Sequence, residues 1–291
     1  MPAASLPRPG LLLFRSRALT LILASVLAVL TLYGAVVALV WWGQERLLFH
    51  PDKLPADYNF QQAADVHETW FDVPGARLNA LQLQLPKPDG VVFFLHGNAG
   101  NLESWFVNTE YYRRANLDLV MFDFRGYGKS GGRITSQAEL QADVQAVWAQ
   151  VAPRYAGMRR VIYGRSLGSA LAAQLASEVQ PELTVLVSPY ASMAGLAQKY
   201  YPWLPSAVLR YPLRTDEALA QVKGPVLLAH GGKDTLIAPS NSVALQRVSP
   251  QAQLLLVPAA GHGDIHQFDA YLNGLRAVLA NPQTRLDMPA Q

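Results

Sequence analysis

Val161-Ile162-Tyr163-Gly164-Arg165-Ser166-Leu167-Gly168-Ser169-Ala170-Leu171-Ala172-Ala173 is the stretch that decides how this 291-residue chain folds. An apolar run, a Gly-x-Ser-x-Gly pentapeptide and a small-faced helical run follow one another without a break. That order spells strand, sharp turn, helix, and a turn of this kind lifts a serine hydroxyl clear of a parallel sheet. The glycines fit because strand and helix must pass so close that a β-carbon would clash. Alone the pentapeptide also suits an ordinary surface turn, so its context has to decide.

Two further strands carry that context. Pro225-Val226-Leu227-Leu228-Ala229 is followed by the loop His230-Gly231-Gly232-Lys233-Asp234. Gln253-Leu254-Leu255-Leu256-Val257 is followed by Pro258-Ala259-Ala260-Gly261-His262-Gly263. Each candidate side chain thus sits just past the carboxyl end of a predicted strand, where open α/β sheets place their chemistry. A serine is a poor nucleophile at neutral pH without an adjacent base. His262 is expected to take the Ser166 proton, and Asp234 to hold the imidazole in the right tautomer. The chain order serine, acid, histidine is the one this type of sheet uses.

Rivals are few, because the chain has six histidines. His50 and His67 precede the core, His96 belongs to another motif, and His230 is expected to brace the loop that carries Asp234. His266 competes for the base from a position one helical turn on, expected in the final helix. Asp264 lies too close in sequence to approach His262 from a neighbouring strand and is expected to cap that helix. No metal or organic cofactor is implied.

Val91-Val92-Phe93-Phe94-Leu95 reads as a buried strand ending in His96-Gly97-Asn98-Ala99-Gly100-Asn101. That loop is where one oxyanion donor is expected, the Asn98 amide with Ala99 as the alternative; the other is the amide of Leu167. A phosphate cradle is the competing reading, but the Lys-Ser/Thr pair of a P-loop is missing. Asp123-Phe124-Arg125-Gly126-Tyr127-Gly128-Lys129-Ser130 follows another strand and is read as structural; Asp123 precedes Ser166 and so falls in the wrong order for the acid.

Together these five motifs resemble the α/β-hydrolase superfamily over roughly residues 47–280. More narrowly, the chain is similar to the membrane-anchored α/β-hydrolase-domain-containing serine hydrolases, a subgroup with protein depalmitoylases and lysophospholipid or monoacylglycerol lipases among its members. Carried over residue by residue, the resemblance implies Ser166 as nucleophile, Asp234 as acid and His262 as base.

The amino-terminal segment is the second strong signal. About 25 residues from Ala18 to Trp42 carry no charge and are nearly all apolar; as a helix they extend ~37 Å, enough to cross a ~30 Å hydrocarbon core with some tilt. Arg8, Arg15 and Arg17 precede the segment, and Trp41-Trp42 fall where an aromatic belt would lie. The run is longer than a signal-peptide core and ends in bulky residues rather than a cleavage site. A single-pass membrane anchor is expected, with the basic end cytoplasmic and the catalytic domain on the extracytoplasmic, periplasmic side. The absence of cysteine excludes a disulfide framework and a thiol site. A net charge of +3 without a basic stripe argues against nucleic acid as a partner.

The expected organisation is a tail and anchor over residues 1–45 and one α/β domain over residues 46–291. An antiparallel opening pair, Glu68 to Val73 and Leu78 to Leu85, leads into strand–helix alternation and a mostly parallel, doubly wound sheet. A helix is expected over residues 102–115, and Ser136-Gln137-Ala138-Glu139 reads as a capping box. Residues 188–222, rich in aromatics and proline, are expected to form a short helical cover whose Tyr190 and Trp203 line an acyl-binding wall. The function expected is hydrolysis of an ester or thioester of a small-molecule or lipid-like acyl substrate. A peptidase or amidase is the alternative within enzymes, and a tethered binding protein with lapsed chemistry the alternative outside them.

Overall fold

The computed structural model describes residues 9–286. The chain divides into two compact units, residues 1–44 and 45–291. The first is occupied by α1 (Pro9–Leu48, which runs on into the second). Arg17–Leu48 is the one helix among the described residues long and apolar enough to cross a membrane. Leu21, Leu27, Leu30 and Leu39 along it are exposed.

The second unit is a three-layer α/β domain. Its strands in chain order are β1 (His50–Pro51), β2 (Val66–Val73), β3 (Ala76–Leu83), β4 (Gly90–Leu95), β5 (Ala99–Gly100), β6 (Leu117–Phe122), β7 (Arg159–Arg165), β8 (Leu183–Val187), β9 (Val226–Gly231) and β10 (Ala252–Val257). The helices are α2 (Leu102–Trp105), α3 (Thr109–Arg114), α4 (Gln137–Val151), α5 (Leu167–Val179), α6 (Met193–Tyr200), α7 (Thr215–Leu219), α8 (Ser240–Val248) and α9 (Asp269–Ala280). Eight strands form one sheet in the order β10-β9-β8-β7-β4-β6-β3-β2. The β2–β3 and β3–β6 pairs are antiparallel and the others parallel. The sheet is therefore mixed and largely parallel.

Both faces are covered, which is why the inner strands read as unbroken apolar runs. Val91, Phe93 and Leu95 of β4 join the core on one face, with Leu171 and Leu175 of α5. Val92 and Phe94 point into the other, with Tyr112 of α3 and Leu275 and Val278 of α9. β4 pairs with β6 on one side and β7 on the other. The chain thus reverses direction across the sheet between these strands, and the crevice at their carboxyl ends is where such sheets bind ligands.

Three expected details differ. The helix over 102–115 is two short helices, because Asn108 adopts a left-handed conformation, φ 57°, between them. The capping box is half-formed: Ser136 Oγ accepts from the Glu139 amide, but the Glu139 carboxylate turns to the amide and hydroxyl of Thr135. Residues 188–222, expected as a short helical cover, carry α6, a 3-10 turn at Ser206–Val208 and α7, joined by turns and irregular chain.

Candidate functional site

β7 delivers Ser166 to the crevice, and two close approaches explain the glycines around it. A β-carbon at Gly164 would lie 2.3 Å from the Gly168 carbonyl oxygen, and one at Gly168 would lie 2.1 Å from that of Leu95. Only bare backbone lets α5 pass β4 this closely. Ser166 itself sits at φ 52°, ψ −119°, a region that non-glycine residues adopt only when their surroundings impose it. Here the Ser166 amide donates to the Val187 carbonyl of β8 at 2.9 Å. The Ser169 hydroxyl donates to the Ser166 carbonyl at 2.6 Å.

Three side chains meet at this point. His262 Nε2 is 3.1 Å from Ser166 Oγ, and His262 Nδ1 is 2.7 Å from Asp234 Oδ2. The serine is 8% exposed and the aspartate buried. Burial works against the Asp234 charge. Hydrogen bonds from His230, His262 and the Ile237 amide outweigh it and hold the carboxyl below the usual carboxylate range. The carboxylate is therefore ionised and ready to accept from Nδ1–H, which leaves Nε2 as the acceptor facing the hydroxyl.

The supporting contacts are local. His230 braces the Asp234 loop through the Ile237 carbonyl, 2.8 Å, and Ser242 Oγ, 2.6 Å. Asp264 does not cap a helix by its side chain. Its carboxylate accepts from the Gly261 amide at 2.7 Å and so shapes the turn that carries His262. His266 lies in a 3-10 turn, Ile265–Gln267, ahead of α9 rather than within it. It lines the same cavity as Ser166, but only His262 reaches the hydroxyl.

The candidate oxyanion donors flank the serine. Leu167 opens α5, so its amide is among the first-turn donors that a helix leaves without an internal acceptor. At Gly97 a β-carbon would come within 3.7 Å of Ser166 Cβ, which puts the 96–101 loop directly over the hydroxyl. His96 Nδ1 donates to the Gly97 carbonyl at 2.7 Å. In a trans peptide N–H and C=O point in opposite directions, so this bond sets the direction of the Asn98 amide as well. Farther along, the Asn98 carbonyl accepts from the His50 amide at 2.8 Å and from the Tyr127 hydroxyl at 2.7 Å.

Arg165, to which the sequence pattern assigns no role, is a further functional residue. Its guanidinium donates to the carbonyls of His262, 3.1 Å, and Gly263, 2.9 Å, and lies 5.4 Å from the centroid of the Trp105 ring. It ties the histidine loop to the strand end that carries the serine. Its signal in the sequence is a charge in an apolar setting, an arginine as the variable residue of Gly-x-Ser-x-Gly.

A cavity of about 570 Å³ opens beside Ser166 and His262, walled by Phe94, Trp105, Tyr111, Tyr163, Tyr271 and Leu272, among others. Tyr190 and Trp203 are not in its lining. The expected acyl wall is thus misplaced. Tyr190 is buried on the opposite face of the sheet, among the residues packed with α5, and Trp203 is exposed. The wall comes from α2, α3 and the segment from His262 to α9. Among the described residues no cluster of three or more His, Cys, Asp or Glu is placed to hold a metal.

A sheet with a hydroxyl, imidazole and carboxylate bonded in series at its switch point belongs to serine hydrolases of the esterase, lipase and thioesterase type. Residues 86–214 match the family described as serine aminopeptidase, S33. The chain is 31% identical over 270 residues to an uncharacterised protein of Mycobacterium tuberculosis, covering 87% of this chain and 94% of that one. It is 30% identical over 237 residues to alpha/beta hydrolase domain-containing protein 17C of Xenopus tropicalis, covering 78% and 74%. An esterase of Pyrococcus furiosus superposes with a TM-score of 0.62 at 20% identity, over 79% of this chain and 96% of that structure. This chain belongs to the α/β-hydrolase superfamily.

Proposed function

We propose that the protein cleaves carboxylic esters or thioesters through an acyl-enzyme, with Ser166 as nucleophile, His262 as base and then acid, and Asp234 as the group that orients the imidazole. The observation that carries this reading is the unbroken series of hydrogen bonds from Ser166 through His262 to Asp234. As Oγ bonds to the carbonyl carbon, its proton passes to His262 Nε2. The oxyanion so formed receives the amides of Leu167 and Asn98. The imidazolium then gives its proton to the departing alcohol or thiol, the carbonyl re-forms, and Ser166 carries the acyl group. Water, deprotonated by the same imidazole, repeats the sequence and releases the acid.

Labelling with a fluorophosphonate probe tests the chemistry. The wild type should label and Ser166→Ala should not, with ester turnover falling on the order of 10⁴-fold or more. Equal labelling of the two would sink the reading in favour of a binding protein on this fold. The match to a family described as serine aminopeptidase makes matched esters, thioesters and peptide amides the panel to compare. Faster cleavage of the amide would establish the peptidase alternative.

The same reading makes α1 a single-pass anchor of the membrane-tethered kind. Three arginines ahead of the apolar run, Arg8, Arg15 and Arg17, would stay in the cytoplasm and the catalytic domain would face outward. A tethered domain has esters held at the membrane surface within reach. A reporter fused after Gln291 should be active outside the cytoplasm; activity confined to the cytoplasm would reverse the orientation.

A further inference from the structure

The cavity beside Ser166 is apolar in its walls but not in its polar atoms, which include three buried phenols. Phe94 of β4 stacks on Tyr163 of β7 with ring centroids 4.3 Å apart. Tyr112 of α3 and Tyr271 of α9 complete this side of the cavity. All three tyrosines are buried. The hydroxyls of Tyr163 and Tyr271 are hydrogen-bonded to each other. Such a pair consumes one of its two protons, so one O–H is left without a protein acceptor among the described residues. Tyr112 lines the cavity too, and among the described residues no protein hydrogen bond acts on its hydroxyl. Burial raises the pKa of each phenol above its ordinary value, so all three are protonated at neutral pH.

The cavity therefore presents donors with nothing in the protein to receive them. A buried hydroxyl that loses water without gaining a partner is unfavourable, and a saturated acyl chain supplies no partner. Ring-shaped walls such as Phe94 and Tyr163 instead suit a flat group, by offset stacking. Distance limits its length. Tyr163 stands three positions before Ser166 in the chain, so at most about 10 Å separates their α-carbons. A single ring and a short spacer cover that span.

We infer that the acyl subsite selects an acyl group with a flat aromatic body and a hydrogen-bonding oxygen at its far end, received by Tyr163, Tyr271 and Tyr112. This rests on the ester-hydrolase reading and names its acyl part. Bond changes are those of ester hydrolysis, and the phenols take no part in them; they are specificity residues.

The test is kcat/KM on three esters sharing one leaving group: hydroxyphenylpropanoyl with a para hydroxyl, phenylpropanoyl, and octanoyl. The wild type should favour the hydroxylated acyl group over its deoxy partner by about tenfold or more, because a site built around a hydroxyl discriminates strongly against its loss. Octanoyl should be slower than both. In Tyr163→Phe, Tyr271→Phe and Tyr112→Phe the hydroxyl preference should fall toward one. The exposed Tyr201→Phe, outside the cavity, should keep it. Thermal unfolding of each variant separates misfolding from altered preference, and the wild-type comparison stands without any variant. Equal turnover of the hydroxylated and deoxy esters by the wild type, or octanoyl faster than either, would overturn the inference while fluorophosphonate labelling of Ser166 still upheld the hydrolase. A preference that survives all three Phe changes would overturn the assignment to the phenols. Absence of both labelling and ester turnover would remove the hydrolase reading and this one with it.

Discussion

Arg165 and the buried His96–Asp123 pair are the residues whose roles emerged from geometry. The Arg165 bonds to the His262 and Gly263 carbonyls hold the histidine turn without touching the imidazole. Arg165→Met should lower kcat by roughly tenfold to a hundredfold, since small misplacement of a base is expensive in rate, with KM little changed. Unaltered kcat would show that the turn holds itself. His96 Nε2 and Asp123 Oδ1 lie 3.5 Å apart in the interior. Burial lowers His96 to about 4 from 6.5, the bond to Gly97 partly opposing it. Burial likewise raises Asp123 to about 8 from 3.8, with the Leu102 amide partly opposing. Between pH 4 and 6.5 the unfolded chain binds the His96 proton that the folded one lacks, so this group makes stability rise with pH. Asp123 acts oppositely, because the folded chain keeps a proton the unfolded chain has lost. Above about pH 6.5 only Asp123 is left, and its contribution falls as pH rises toward 8. Asp123→Asn should flatten the denaturant midpoint between those pH values; an unchanged slope would mean the buried carboxyl is already ionised.

At the scale of elements, the passage of α5 over β4 is what holds the serine in its strained backbone. Gly168→Ala would set a β-carbon 2.1 Å from the Leu95 oxygen and 2.5 Å from that of His96. Both are backbone atoms that also shape the 96–101 loop, so helix or loop must shift. A loss of about 3 kcal/mol in chemical denaturation is expected, together with loss of fluorophosphonate labelling. Retention of full labelling would show that the elbow tolerates the displacement. The nearby β1–β5 pairing shows a second link between elements. The short strand after α1 pairs in parallel with the loop at Ala99–Gly100, so the chain leaving the helix also fastens the loop that carries Asn98.

For the whole molecule, the division at residue 44 separates an apolar helix from a domain with its own two-sided core. A chain beginning at residue 45 should therefore remain in solution after membrane pelleting and retain esterase turnover within about threefold, because Ser166, His262, Asp234 and the cavity lining all belong to the unit that remains. The intact chain should pellet with membranes and be released by detergent rather than by salt. Release by salt alone would argue against a spanning helix.

Much of this is legible in the sequence. The strands before Ser166, Asp234 and His262 are unbroken apolar runs because their sheet is covered on both faces, and the Gly-x-Ser-x-Gly turn needs its glycines for reasons visible in a single residue type. Local patterns report local constraints, and these elements obey them. The interruption at Asn108 and the turn made by Asp264 escaped, because each depends on contacts that helical periodicity does not encode. The cavity wall escaped more completely. An aromatic-rich segment between two strands looked like the place for it, yet Tyr190 packs against the other face of the sheet, and the wall comes from residues as far apart in the chain as Phe94, Tyr163 and Tyr271. Sequence alone determined the strand-and-helix alternation, the serine turn and the long apolar amino-terminal helix. Tertiary structure decided what surrounds the hydroxyl, because strand order and helix placement bring distant residues to one crevice.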